Sequence, residues 1–143
     1  MTLPPQIRVL ERGWLSSNNI LIHDAGGCAL IDSGYVAHAA QTLQLLQRGL
    51  EGKPLARLIN THCHSDHMGG NAAVQRAYAC RTSIPVGEAS AIAAWDEAAL
   101  MLGYSGQSAE RFAYDDTIAA GDQLSLGGLD WEALAAPGHD MHA

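Results

Sequence analysis

Residues 61–70 read THCHSDHMGG and set His62, His64, Asp66 and His67 within six positions. Imidazoles and carboxylates lose solvation when buried and add little to packing, so such a cluster calls for a compensating partner. If the chain runs extended through residue 64, His62 and His64 point to one side and Cys63 to the other. Two imidazoles on one face can share a cation. Asp66 and His67 follow across a turn and can face the same space from another direction, where they could hold a second ion. Neutral imidazole and carboxylate suit zinc, iron or manganese, and zinc is the commonest of these. A catalytic zinc keeps one coordination position open and lowers the pKa of its bound water to about 7; a pair of metals about 3.5–4 Å apart can bridge one hydroxide and clamp a substrate oxygen. Hydrolysis is therefore the chemistry this cluster is suited to. The chain has seven histidines in 143 residues, and a shuffled chain of that kind would hold H-x-H-x-D-H only about once in a thousand trials. A histidine-rich surface turn would also leave unexplained the apolar strand that leads in and the double glycine that leads out.

The surrounding pattern describes the elements that must position these groups. QIRVLER and NNILIHD have strand character, and CALID follows the turn DAGG. Apolar residues at Val36, Ala39, Ala40, Leu43, Leu46 and Leu50 fall at helical spacing and predict an amphipathic helix. LARLIN is a short apolar strand that runs directly into Thr61. GGNAAVQRAYA reads as a helix, RTSIPV as a strand and GEASAIAAWDEAALML as a longer helix. DQLSL and LDWEALAA form a hairpin around Gly127-Gly128. The expected order is β-β-β-α-β-α-β-α-β-β, an α/β layered architecture. In such sheets functional groups collect beyond the carboxyl ends of the strands, where residues 61–70 and 137–142 both fall.

Composition narrows the partners. Apolar residues make up 48% and charged residues 16% of the chain, an ordinary globular balance. Eight Lys+Arg against 15 Asp+Glu leave a formal charge of −7. That sign argues against broad phosphate-driven binding of nucleic acid and favours a small-molecule substrate. No run approaches the ~18 apolar residues of a membrane span, and MTLPPQIRVLERG has no basic region followed by an apolar one. Cys28, Cys63 and Cys80 lack a paired spacing, and are read as reduced thiols of a cytoplasmic protein.

THCHSDHMGG resembles the H-x-H-x-D-H signature of the metallo-β-lactamase superfamily. APGHD resembles that family's next metal motif, a histidine after Pro-Gly, and ALIDSG resembles its strand and turn before the first helix. Order and spacing agree from residue 6 to residue 142. The resemblance implies that His62, His64 and His139 bind a first metal. It implies that Asp66 and His67 bind a second, with Asp66 also orienting the attacking water as a catalytic group. Zinc, two ions in the complete protein, is the cofactor implied, with iron or manganese as alternatives. Histidine at 64 separates the chain from the diiron oxygen-reductase branch, and His67 fits the glyoxalase II-like two-metal hydrolases. The implied fold is the αββα sandwich of two similar halves, of which residues 1–143 resemble the N-terminal half. The later bridging aspartate and final histidine have no counterpart, since Asp140 and His142 follow His139 too closely.

Three functional expectations follow. The first is a metal-dependent hydrolase of esters, thioesters, amides or phosphoesters. The second is a non-heme iron oxygenase of the same fold, similar to persulfide dioxygenases. The third is an inactive half-fold that self-associates, as a homodimer or swapped oligomer, because a half-sandwich exposes the sheet face meant for its partner. Among lesser candidates, Asp32 and Ser33 either support the site or merely end a strand. His142 is read as a frayed terminus rather than a substitute ligand, and His23 and His38 as ordinary partly exposed residues. Cys63 is a buried spectator, while Cys28 and Cys80 are small core residues. Trp95, Met101 and Tyr104 either line a substrate pocket or fill a core. Asp115-Asp116 reads as a solvated loop.

Overall fold

Alternating side chains along β1 (Ile7–Leu10), β2 (Asn19–Ile22), β3 (Cys28–Ile31) and β4 (Leu55–Ile59) send apolar groups to both faces of a sheet. β5 (Arg81–Pro85) and β6 (Asp116–Ile118) complete it. The computed structural model describes residues 2–143 and arranges six strands in the order β1-β2-β3-β4-β5-β6. β1, β2 and β3 pair antiparallel; β3, β4, β5 and β6 pair parallel. The parallel half aligns the carboxyl ends of four neighbouring strands along one edge. Asp32, Asn60 and Val86 emerge there from β3, β4 and β5, so residues far apart in sequence become neighbours.

One face of the sheet is covered by helices. α1 (Ala39–Gly49), entered through a 3-10 turn at Val36–His38, packs beside α3 (Asn71–Tyr78). Leu21, Leu30 and Leu58 of the sheet meet Leu46 and Val74 in a core that excludes water completely at these five side chains. Each such burial contributes roughly 1.5–3 kcal/mol. The helical spacing from Val36 to Leu50 is borne out. On the opposite face, Ile22, Ala29 and Ile59 meet Leu126 of a second, two-stranded sheet formed by β7 (Gln123–Leu126) and β8 (Leu129–Glu132). Gly127 and Gly128 join these strands at φ 65° and 71°. A two-residue hairpin turn with positive φ at both positions strongly favours glycine. The expected hairpin is therefore present, stacked on the main sheet as the start of a second layer.

Two expectations fail, the second in part. The long helix expected from Gly87 to Leu102 ends early, as α4 (Ala89–Ala94), and α5 (Leu102–Ser105) is a separate short turn. Trp95 adopts φ 55°, and Oδ1 of Asp96 accepts hydrogen bonds from the N–H groups of Ala98 and Ala99. An aspartate that satisfies local backbone donors competes with the helix. The break lets Leu100 and Leu102, two positions apart, both join Ile92 and Phe112 in one buried cluster. Asp115-Asp116 is a solvated loop only in part: Asp115 is an exposed bend residue, whereas Asp116 is half-buried in a strand. Asp116 opens β6 and accepts a 2.8 Å bond from Nε of Arg81, while Oδ2 of Asp115 accepts the N–H of Thr82 at 2.7 Å. Here two acids pair with the neighbouring strand's donors, which local composition does not reveal.

Candidate metal centre

β4 ends at Ile59, and the chain turns through Asn60 and Thr61 before α2 (Ser65–Met68) begins. Gly69 and Gly70 let this segment lie against the loop after β3. A β-carbon on Gly70 would come within 2.5 Å of the Ser33 carbonyl, and one on Gly69 within 2.5 Å of the Val36 nitrogen. That close approach brings Asp32 under the histidines.

His62, His64 and His139 converge: one nitrogen from each lies within 4.8 Å of the others. Nδ1 of His64 faces Nε2 of His139 at 3.0 Å. Two nitrogens on one tetrahedral zinc lie roughly 3.3 Å apart, so this spacing suits a shared cation. His62 is buried, its Nδ1 sits 3.2 Å from Oγ1 of Thr61, and its Nε2 has no hydrogen-bond partner among the described residues. A buried ring nitrogen without a partner, beside two further imidazoles, is what a metal-ligating histidine looks like before its ion is considered. The donor set fits a metal. Asp66 and His67 lie next to this trio: the His62 and His67 rings are 4.0 Å apart, and Oδ2 of Asp66 is 3.4 Å from Nε2 of His67.

A buried polar network supports the histidines. Asp32, at φ 58° just past β3, accepts bonds from Thr61 N–H, Thr61 Oγ1 and Asn60 Nδ2, and its Oδ2 lies 2.8 Å from Nδ1 of His67. A carboxylate on one ring nitrogen leaves the other directed at the site. Ser33 donates its hydroxyl to Asn71 Oδ1 and its N–H to the His67 carbonyl, while Asn71 donates to Asn60. Asp32 and Ser33 thus do both things expected of them, ending a strand and holding the site.

Burial also sets the protonation. It depresses His62 to about 4, helped by the neighbouring charges of His67 and His64. Burial likewise lowers His64. Both rings are therefore neutral near pH 7, as ligation requires. Burial acts the same way on His67, but the Asp32 hydrogen bond and charge, with Asp66, outweigh it and raise this ring. Glu88, on the turn after β5, is pushed up to about 7 by burial, then by the charge of Asp140, against the pull of His142.

Glu88 carries a testable pH dependence. Its folded value lies above the ordinary 4.5, so the stabilisation is complete below the unfolded value and is lost as pH rises through the folded one. Glu88→Gln is expected to match the parent at about pH 4 and to exceed it by up to about 3 kcal/mol at about pH 8.5. Thermal midpoints of the metal-free chain at both pH values measure this; an equal gap at both would contradict it.

A profile of the metallo-beta-lactamase superfamily matches residues 12–142. The chain belongs to the metallo-beta-lactamase superfamily. Within it, a hydroxyacylglutathione hydrolase from Nitrobacter winogradskyi is 34% identical over 124 residues, covering 85% of this chain and 39% of that protein. A second, from Rhodospirillum rubrum, is 26% identical over 133 residues, 89% of this chain and 41% of the relative. Among solved structures, the native FEZ-1 metallo-beta-lactamase from Legionella gormanii superposes with a TM-score of 0.80 at 20% identity, covering 96% of this chain and 52% of that one. The BJP-1 enzyme of Bradyrhizobium japonicum, a subclass B3 metallo-beta-lactamase, gives 0.81 at 19%, covering 99% and 53%. The metallo-beta-lactamase fold is thus shared, and the chain spans about two fifths of the curated relatives and about half of the solved chains.

The remaining candidates of this family member divide cleanly. Met101 and Tyr104 line a cleft of about 420 Å³ that His64, Asp66 and His139 also line, and Trp14 stands at its wall. Trp95 does not line it; its ring meets Phe112 edge-on at 6.0 Å in the core. Cys63 is buried in the same core, and burial pushes its thiol up. Cys28 and Cys80 are buried as expected. His142 stays outside the histidine trio and sits against Gly87. His23 and His38 are half-buried, with His38 bonded to Ser16. Thr61, Asn60, Asn71, Trp14, Glu88 and Asp140 were not anticipated as parts of the site. Only Asn60 and Thr61, polar residues at the end of an apolar strand, carried a local signal.

Proposed function

We propose that residues 1–143 form one metallo-beta-lactamase-like domain, the N-terminal part of a metal-dependent hydrolase acting on a small ester, thioester, amide or phosphoester. The observation that supports this most is the unpartnered, buried Nε2 of His62 beside His64 and His139. In this reading those three histidines hold one cation, and Asp66 and His67 hold a second. Zinc fits the nitrogen-rich donor set; when bound it supplies Lewis acidity, raising the acidity of water and stabilising the developing oxyanion.

The chain's own groups do the rest. Asp66, whose side chain is 36% exposed and lines the cleft, accepts a hydrogen bond from the attacking water and orients it. Asp32 holds His67, with Thr61 bonded beside it. Trp14, Met101 and Tyr104 offer apolar and aromatic surface to the substrate's acyl part. No lysine or arginine lines this cleft among the described residues, so it suits an uncharged portion of the substrate. The relatives' name makes hydroxyacyl-glutathione the first compound to assay.

Chelation tests the reading. Hydrolysis by the protein containing this chain is expected to vanish on metal removal and return with zinc. Full hydrolysis in a metal-stripped sample would overturn it. Iron in the native protein, with oxygen uptake on a thiol substrate, would select the oxygenase instead.

We further propose that two copies of the 143-residue chain associate through the face bearing the hairpin. A cleft of about 520 Å³ opens there between Ile59, Pro85, Ile118 and Leu124, and Val86, Leu134 and Met141 beside it are largely exposed. Apolar surface so grouped is normally covered. Sedimentation at micromolar concentration is expected to give a dimer, and a strictly monomeric species would contradict this. Among the described residues no helix is long and apolar enough to cross a membrane. A cytoplasmic location remains part of this proposal.

A further inference from the structure

Asp140 lies outside the ring of histidine nitrogens, yet touches it. Its Oδ2 is 3.3 Å from Nε2 of His64, with the two side chains only 11% and 19% exposed. The other nitrogen of that imidazole, Nδ1, faces His139. We infer that Asp140 is a positioning residue: its carboxylate takes the Nε2–H of His64 and so commits Nδ1 to the cation shared with His62 and His139. This rests on the reading of the trio as a metal site.

Three contacts hold Asp140 and its loop for that task. Oδ1 accepts the N–H of His142 at 2.6 Å, an Asx turn that stops rotation of the side chain. The Asp140 carbonyl accepts the N–H of Gly138, which closes the loop around His139. Behind it, Glu88 is buried, and burial first, then the charge of Asp140, favours its protonated form. His142 packs where Gly87 has no side chain; a β-carbon there would collide with its ring. The segment 138–142 is thus seated on the turn at Val86–Glu88, and Asp140 is held between that turn and His64. The same device appears on the other side of the site, where Asp32 binds Nδ1 of His67 and leaves Nε2 toward Asp66. The two carboxylates select opposite nitrogens. A histidine with a free ring would divide its proton between both positions, and only one tautomer can ligate through Nδ1.

The test uses the 143-residue chain and two readouts. Long-range proton–nitrogen NMR of the metal-free chain reads the His64 tautomer, and zinc competition with a chromophoric chelator reads affinity. The parent is expected to carry its proton on Nε2 of His64. Asp140→Ala is expected to lose that preference and to bind zinc roughly 10–100-fold more weakly. Asp140→Asn, which keeps an acceptor without the charge, is expected to lose less than tenfold and to retain the tautomer. An unchanged tautomer together with unchanged zinc affinity in Asp140→Ala would overturn the inference. Should that variant unfold, Asp140→Asn decides: an affinity as poor as that of His64→Ala would mean a merely structural role. If the parent binds no zinc, the metal reading fails, and the tautomer alone then decides the role of Asp140.

Discussion

His62→Ala is expected to abolish tight zinc binding and, with it, any hydrolysis the metal supports. The loss should exceed the roughly 10–100-fold that follows removal of an outer hydrogen-bond partner, because a ligand itself is removed. His62 is the most buried of the three histidines, and its Nε2 has no other partner among the described residues. Nothing else among the described residues uses that atom. The metal-free fold should therefore survive the change, losing the ring's packing but no hydrogen bond from Nε2. Chelator competition and a thermal midpoint taken without metal separate the two effects. Zinc affinity within tenfold of the parent would contradict the assignment. So would collapse of the metal-free fold, since that would make His62 a structural residue.

The second large effect is expected at Asp32. Asp32 is 3% exposed, and its carboxylate accepts from Thr61 N–H, Thr61 Oγ1 and Asn60 and pairs with His67. Asp32→Ala strands all of these, in a buried network that also includes Ser33 and Asn71. Removing one partner of a buried, hydrogen-bonded charge typically costs about 3–5 kcal/mol. For a chain of this size that lowers the thermal midpoint by roughly 6–20 °C. Asp32→Asn should fall between the two, because its amide group meets donors where an acceptor is needed. Loss of the carboxylate also frees the His67 ring, so binding of a second zinc should weaken more than binding of the first. A midpoint within about 2 °C of the parent for Asp32→Ala would contradict the network's role.

Much of this site could be read before any coordinates. Three histidines and an aspartate in six positions are a local pattern, but the strand ends at Ile59, so the turn through Asn60 and Thr61 and not strand alternation brings His62 and His64 to one side. The helix from Val36, the strands up to β5 and the hairpin at Gly127-Gly128 are equally local. His139 was assigned only through the likeness of APGHD to a family motif, since no periodicity links residue 139 to residue 62. Asp140 was considered only as a bridging aspartate and set aside, and Glu88 escaped notice, for a related reason. Their partners lie across the strand edge, and a lone acid in a loop looks like solvent-facing charge. The helix expected over 87–102 failed because Asp96 captures backbone donors, an effect that apolar spacing averages away. β6 was missed because the acids at its start, Asp115 before it and Asp116 within it, suggested solvent, whereas the partner strand's Thr82 and Arg81 bond to them. In each miss a polar side chain found a protein partner, a local one for Asp96 and one on another element for the other acids.

The convergence of His62, His64 and His139 on one cation is tested most directly by imidazole NMR during a zinc titration. As the first equivalent is added to the 143-residue chain, the ring nitrogens of all three histidines should shift together, with His23 and His38 unmoved. Changes confined to His62 and His64, with His139 silent, would contradict the assignment.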